Sequence, residues 1–297
     1  MPMPPLQGSF TALITPFRDG KVDTAAFKRL VEWQIDQGAH GLVPCGTTGE
    51  SPTLSHEEHK RVVELCIETA AGRVPVIAGT GSNSTAEAVD MTVHAAKVGA
   101  TGALLVSPYY NKPTQQGLYE HFRAIAQAAP ELPLILYNIQ GRTAVNIETD
   151  TLARLAQIPN IVGVKEASGS LDQMTSVVLA CGPEFTMLSG DDSLTLPLMA
   201  VGGRGVISVL ANLMPREVAE LTHAALDGDW KRAREVHWRL FPICRAMFIE
   251  TNPIPVKEAM AMLGMIRAEW RLPMCPMSDP NRERLRKVLV QAGVLKA

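Results

Sequence analysis

Short apolar runs recur along the first three quarters of the chain: FTALITPF, HGLVPCG, VPVIAGTG, GALLVSP, LPLILYN, NIVGVKEA, FTMLSGDD and GVISVLAN. They are rich in β-branched residues and bounded by Gly, Pro, Asn or Ser, the pattern of strands buried on both faces. The stretches between them, such as DTAAFKRLVEWQIDQ, SHEEHKRVVELCIETA and STAEAVDMTVHAAKV, have helical periodicity. Asp23 or Thr24, Ser55 and Ser84 stand where N-caps are expected, and Ser84 to Glu87 has capping-box spacing. Eight such strand–helix units in about 225 residues predict an α/β chain folded as a closed (β/α)8 TIM barrel. An open doubly wound sheet is the alternative, but it needs a phosphate-binding G-x-G-x-x-G after its first strand, where this chain has TPFRDG.

Beyond residue 227 the strand pattern stops. DWKRAREVHWRLFPICRAMF, PIPVKEAMAMLGM and DPNRERLRKVLVQAG read as three helices. The expected division is a barrel over 1–227 and a small C-terminal helical region over 228–297, joined through LDGDW.

Composition narrows the function classes. In 297 residues, 46% are hydrophobic and 20% charged, which supports a sizeable core and argues against disorder. A net charge of −2 gives no basic field for nucleic acid. No apolar run approaches the roughly 18 residues of a membrane span, and MPMPPLQGSF lacks the layout of a signal peptide. The five cysteines are odd in number and form no C-x-x-C pair, which fits reduced thiols in the cytoplasm.

Candidate chemistry gathers at the predicted C-terminal strand ends, where such barrels carry their sites. Thr47 and Thr48 follow the second strand, and Tyr109 and Tyr110 the fourth. Tyr137 and Asn138 close the fifth with Arg142 just beyond, and Lys165 and Glu166 close the sixth. A lysine ordinarily titrates near pH ~10.4, so one ending a buried strand is either paired, reaching solvent beside Glu166, or kept partly neutral for use as a nucleophile. Alternation in IVGVKEA places Ile161, Gly163 and Lys165 on one face. If that face lines the barrel, Tyr137 lies one strand over and can give and take a proton. In SHEEH, His56 and His59 share a helix face, but the spacing is not H-E-x-x-H and no third ligand is in place, so no metal site is expected. GTGSNS lacks a third glycine in register, KRAREVHWR reads as a solvated basic face, and no G-x-S-x-G nucleophile elbow occurs.

Six stretches, collinear over nearly the whole chain, carry a family resemblance: GTTGES (46–51), PYYNKPTQQGLYEHF (108–122), YNIQGRT (137–143), GVKEASG (163–169), SGDD (189–192) and NPIPVK (252–257). They resemble the dihydrodipicolinate synthase family of pyruvate-dependent class I aldolases. The resemblance implies that pyruvate forms a Schiff base on Lys165 and, as an enamine, attacks L-aspartate 4-semialdehyde on the route to diaminopimelate and lysine. It implies Tyr137, Thr48 and Tyr110 as a proton relay, with Tyr110 entering a neighbouring subunit, so that a dimer is the smallest complete unit. Thr47 and Thr48 match the cradle of the pyruvate carboxylate, with Gly190 and the Ile207 backbone in the same pocket. Arg142 matches the arginine that holds the semialdehyde carboxylate. Ser51, His56, His59, Asn83, Glu87 and Tyr109 match the L-lysine pocket of feedback-inhibited relatives. A homotetramer built from tight dimers is implied, with no cofactor.

The chain departs from the family pattern at Gln140, usually proline, and at Ala144, usually glycine, which puts the aim of the Arg142 loop in question. Sister aldolases acting on N-acetylneuraminate or 2-keto-3-deoxy sugar acids share the lysine and tyrosine. Thr47 beside Thr48, with Arg142, favours a carboxylate-bearing aldehyde. A silent barrel binding a small 2-oxo acid or amino acid is the reading from outside the enzyme class.

Overall fold

A computed structural model describes residues 6–296. Eight parallel strands form one sheet: β1 (Gly8–Ala12), β2 (Gly41–Val43), β3 (Ile77–Gly79), β4 (Gly102–Val106), β5 (Leu134–Asn138), β6 (Ile161–Glu166), β7 (Thr186–Ser189) and β8 (Gly205–Ser208). Each pairs with its neighbours in sequence, β8 pairs with β1, and a bridge from Leu42 to Val76 joins β2 to β3. This is the (β/α)8 barrel. Every strand is nearly all buried, as expected for parallel strands with helices on one side and a filled barrel on the other. Phe10, Val43, Ile77, Leu104, Ile135, Leu188 and Ile207 fill the inside.

The helices between the strands are α1 (Thr24–Asp36), α2 (His56–Ala70), α3 (Thr85–Lys97), α4 (Gln115–Ala128), the one-turn α5 (Gln140–Thr143), α6 (Thr149–Leu155), α7 (Leu171–Cys181), α8 (Thr195–Ala200) and α9 (Pro215–Leu226). Asp23 caps α1, its carboxylate accepting from Ala26 N–H at 2.9 Å. The reciprocal capping box forms at Ser55 and Glu58 on α2. At α3 only half of the expected box is made. Ser84 accepts from Glu87 N–H, but the Glu87 carboxylate takes the Ser82 hydroxyl at 2.7 Å, and Ser82 Oγ in turn accepts from Ser84 N–H. The serine before the cap therefore relays what the glutamate was expected to do directly.

The expected alternation of Ile161, Gly163 and Lys165 on one face is broken in β6. Ile161 packs under the helices with Leu134 and Val164 rather than inside the barrel. The β5–β6 register slips between Leu134 and Ile135, so Ile135 faces Gly163 while Leu134 still faces Ile161. The irregularity turns Ile161 outward yet leaves Lys165 paired with Tyr137. Gly163 is needed here, because a Cβ would stand 2.3 Å from the Thr186 carbonyl oxygen.

Three further helices follow: α10 (Trp230–Ala246), α11 (Ile254–Met262) and α12 (Asp279–Gln291). They do not form a separate core. Val236, Leu240, Ile243, Val256, Leu285 and Leu289 share one apolar cluster with Ile14, Leu30, Val206 and Leu210 of the barrel. This packing brings the segment before α11 up to the C-terminal mouth of the barrel. Among the described residues, no helix is long and apolar enough to cross a membrane.

Candidate active site

The loop after β2 is a tight turn closed by Gly49 and Ser51 N–H groups on the Gly46 carbonyl and by Glu50 N–H on that of Thr47. Cys45 and Glu50, at its two ends, are both left-handed, with φ of 57° and 53°. Such a backbone costs an L-residue energy and persists only where its surroundings fix it. Glu50 is fixed by a fully buried ion pair with Lys257 of α11, and its other oxygen accepts from Arg271 N–H at 3.3 Å. Phe17 underlies the cluster, with Lys257 Nζ 4.3 Å and the Arg271 guanidinium 4.4 Å from its ring centroid. Among the described residues, the Thr47 and Thr48 N–H groups have no protein acceptor, as a turn prepared for an anion requires.

Lys165 ends β6 and is only 5% exposed. Its Nζ lies 4.1 Å from the centroid of the Tyr137 ring, directly across on β5. Burial pulls its pKa down to about 7; the Asp192 carboxylate opposes this and the Arg142 charge adds to it. Glu166 does not pair with it. That carboxylate points to the opposite side, fully buried, and accepts from Ser168 N–H at 2.6 Å, from Asn138 Nδ2 and from Gln173 Nε2. Glu166 thus anchors the strand end under the helices while Lys165 faces the chamber.

Gly190 makes room for the lysine, since a Cβ there would come within 3.2 Å of Lys165 Cε and 2.7 Å of Ala167 Cβ. Asp192, also buried, accepts from the Ser208 hydroxyl and from the N–H groups of Val209 and Leu210 at 3.0 and 3.1 Å. It fixes the end of β8 just beyond Ile207, which belongs to the barrel filling. The Tyr137 phenol is pushed up to about 12 by burial, against the Arg142 charge and a hydrogen bond with the Thr47 side chain. Thr48 turns elsewhere: its Oγ1 accepts from Asn252 Nδ2 at 3.0 Å. The hydroxyl facing Tyr137 is therefore that of Thr47, and not that of Thr48 as expected. Arg142, on α5, donates to the Asn252 carbonyl at 3.1 Å. Gln140 opens this helix, Ala144 closes it in a left-handed conformation with φ 57°, and Thr143 Oγ1 ties it to Ile139 and Val145. Lys165, Tyr137, Thr47, Thr48, Arg142 and Asn252 line one chamber.

Tyr110 is not brought to this chamber by its own chain. It is 91% exposed on a left-handed turn with φ 71°. Ser51 and Tyr109 line an adjoining cavity that shares Thr47, Tyr137 and Arg142 with the chamber. Asn83 donates to the Tyr109 carbonyl at 3.1 Å, and Asn111 to that of Asn83 at 2.8 Å. His56 and Glu87 are exposed. His59 is buried, bonded to the Gly79 backbone and lacking a partner on Nε2, and burial lowers its pKa to about 4.

The model of the Dihydrodipicolinate synthetase family matches residues 5–292. The chain belongs to this family. It is similar to the 4-hydroxy-tetrahydrodipicolinate synthase of Nitratidesulfovibrio vulgaris (strain DSM 19637 / Miyazaki F), 56% identical over 97% of this chain and 99% of the relative. Among solved structures, it resembles dihydrodipicolinate synthase from Aquifex aeolicus, with TM-score 0.97 and 54% identity over 98% and 100% of the two chains. The chloride-inhibited Acinetobacter baumannii enzyme complexed with pyruvate matches with TM-score 0.95 and 46% identity, over 98% and 100%. The Cyanidioschyzon merolae enzyme with lysine bound matches with TM-score 0.95 and 42% identity, over 97% and 99%.

Two residues that meet the turn at 46–51 were not singled out from the sequence. Asn252 and Lys257 sit in NPIPVK, one of the stretches that carry the family resemblance, but a polar residue at each end of an apolar, proline-rich run does not by itself mark a role for either. Each meets the Gly46–Ser51 turn from more than two hundred residues away.

Proposed function

We propose that this chain is a 4-hydroxy-tetrahydrodipicolinate synthase. It condenses pyruvate with L-aspartate 4-semialdehyde in the route to diaminopimelate and L-lysine. The observation that carries this reading is Lys165: a buried amine held near pKa 7 beside a tyrosine, in a chamber that also holds a free N–H turn and an arginine.

The chemistry follows from those groups. Neutral Lys165 attacks the pyruvate ketone carbon, and loss of water leaves a protonated imine. The imine draws electrons from the methyl group, which gives up a proton to form the enamine. Enamine carbon attacks the semialdehyde aldehyde, and the new alkoxide takes a proton. The semialdehyde amino group then closes on the imine carbon and expels the lysine amine. The Tyr137 hydroxyl, together with that of Thr47, carries the protons. Tyr110 of a second subunit completes the relay. The Thr47 and Thr48 N–H groups and hydroxyls hold the pyruvate carboxylate, beside the backbones of Gly190 and Ile207. Arg142 takes the semialdehyde carboxylate in a fixed fork.

L-lysine acts as effector in the pocket of Ser51, His56, His59, Asn83, Glu87 and Tyr109, and the lysine-bound relative supports this assignment. The assembly we propose is a tetramer of tight dimers, because the exposed Tyr110 is useful only against a partner. The five cysteines are unpaired, which supports the cytoplasm.

Borohydride reduction with pyruvate, followed by peptide mass spectrometry, tests the first step. An adduct on Lys165 and turnover of the semialdehyde are expected. Cleavage of N-acetylneuraminate without semialdehyde turnover would move the chain to a sister aldolase, and absence of any adduct in folded protein would leave a silent binding barrel.

A further inference from the structure

Asn252 touches the chamber twice, and in different ways. Its backbone carbonyl takes the Arg142 guanidinium at 3.1 Å, while its side-chain Nδ2 donates to Thr48 Oγ1 at 3.0 Å. The side chain is buried, and its Oδ1 meets no donor among the described residues. Among the described residues, the Thr48 bond is thus the one hydrogen bond the side-chain amide makes. Asn252 is itself held in place by the α11 segment, which is pinned five residues on by the buried Lys257–Glu50 pair at the far end of the Thr47–Thr48 turn.

A threonine hydroxyl has one hydrogen and two acceptor sites. When Nδ2 donates to Thr48 Oγ1, the hydroxyl cannot spend its own hydrogen on that amide group. The hydrogen is then free to point into the chamber, next to the unengaged N–H groups of Thr47 and Thr48. We infer that Asn252 is a positioning residue that makes Thr48 a donor and so completes an all-donor cradle for the carboxylate of a 2-oxo acid. This rests on the reading of the chamber as a pyruvate site. An acceptor in place of Nδ2 would draw the Thr48 hydrogen away and leave a lone pair facing the carboxylate. The geometry separates two functions within one residue: the backbone of Asn252 serves Arg142 and the second substrate, and its side chain serves Thr48 and pyruvate.

The test is a double-mutant cycle on the full enzyme with Asn252→Ala, Thr48→Val and the double variant. Each single change is expected to raise the KM for pyruvate about 10-fold, in line with the loss of one charge-assisted hydrogen bond. The kcat and the KM for the semialdehyde should stay within about twofold, because the carbonyl that holds Arg142 remains. The double variant should be no worse than either single one. Multiplying effects on the KM for pyruvate, an unchanged KM in Asn252→Ala, or a collapse of kcat in that variant would each overturn the inference. Asn252→Asp adds a second reading at the same volume. It is expected to raise the KM for pyruvate at least as much as alanine does, whereas a side chain that merely fills space would leave it near wild type. If wild-type enzyme forms no borohydride-trapped pyruvate adduct, it is the pyruvate reading that fails, and the cycle is not then at issue.

Discussion

Lys165 and Tyr137 are direct cross-strand partners, with the lysine nitrogen 4.1 Å from the centre of the tyrosine ring. Both are buried, and burial moves them in opposite senses along the pH scale: the amine down to about 7 and the phenol up to about 12. A large share of the amine is thereby neutral near pH 7, and the phenol stays protonated. On the proposed mechanism, the pair would serve as nucleophile and proton carrier.

The rate of pyruvate adduct formation should therefore rise with pH through about 7 and level off above it, since only the neutral amine attacks. Trapping with borohydride across pH 5–9, on the order of the window set by that pKa, checks this. A profile still rising at the upper end would mean that the lysine is not desolvated.

Arg142 is held by one backbone carbonyl and leaves its remaining donors for ligand. Arg142→Lys should raise the KM for the semialdehyde by about 10- to 100-fold, because an ammonium cannot reproduce the fork. Adduct formation with pyruvate alone should be retained, and trapping without second substrate separates the two effects.

Lys257→Met strands the Glu50 charge in a buried site. A loss of about 3–5 kcal/mol of stability is expected from breaking such a pair, read as a lower midpoint in denaturant. Because Glu50 is left-handed at the end of the turn proposed to hold the pyruvate carboxylate, the KM for pyruvate should rise as well.

His59 and His121 are both buried, and burial lowers each pKa to about 4. In the unfolded chain they titrate near pH ~6.5, so between the two values the unfolded state binds more protons. Stability should accordingly fall as pH drops from about 6.5 toward 4 and be flat with respect to these groups above that range. Replacing His121 by Leu should flatten part of the acid limb of a denaturation-against-pH curve.

Glu87 is tied to Ser82, and Asn83 to the Tyr109 carbonyl, beside the cavity that adjoins the chamber. Millimolar L-lysine should slow the enzyme. Glu87→Gln should weaken that inhibition while leaving the uninhibited rate unchanged. Steady-state rates with and without lysine decide it.

The barrel was legible because parallel strands and their covering helices leave two different periods in the chain, and the caps at Asp23 and Ser55 follow from side chains within three residues of the bonds they make. Lys165 stood out as a charge in an apolar run. What the sequence concealed depends on distances along the chain or on rotations too fine for a pattern. Thr47 and Thr48 are adjacent and chemically identical, so which one faces Tyr137 is settled only by the turn that carries them. The slip that turns Ile161 outward arises from the pairing of β5 with β6, not from either strand alone. Asn252 and Lys257 carry no local mark of their role, because their partners Thr48 and Glu50 lie at the other end of the sequence.

That separation gives chain growth a bearing on competence. All eight strands and Lys165 are synthesised before residue 209, while the groups that brace the turn at 46–51 arrive only with residues 252–257. A chain interrupted between those points has every strand and Lys165 but lacks Asn252 and Lys257, which brace the turn at 46–51. The full bracing of the turn at 46–51 is thus conferred late in translation, after most of the message has been read.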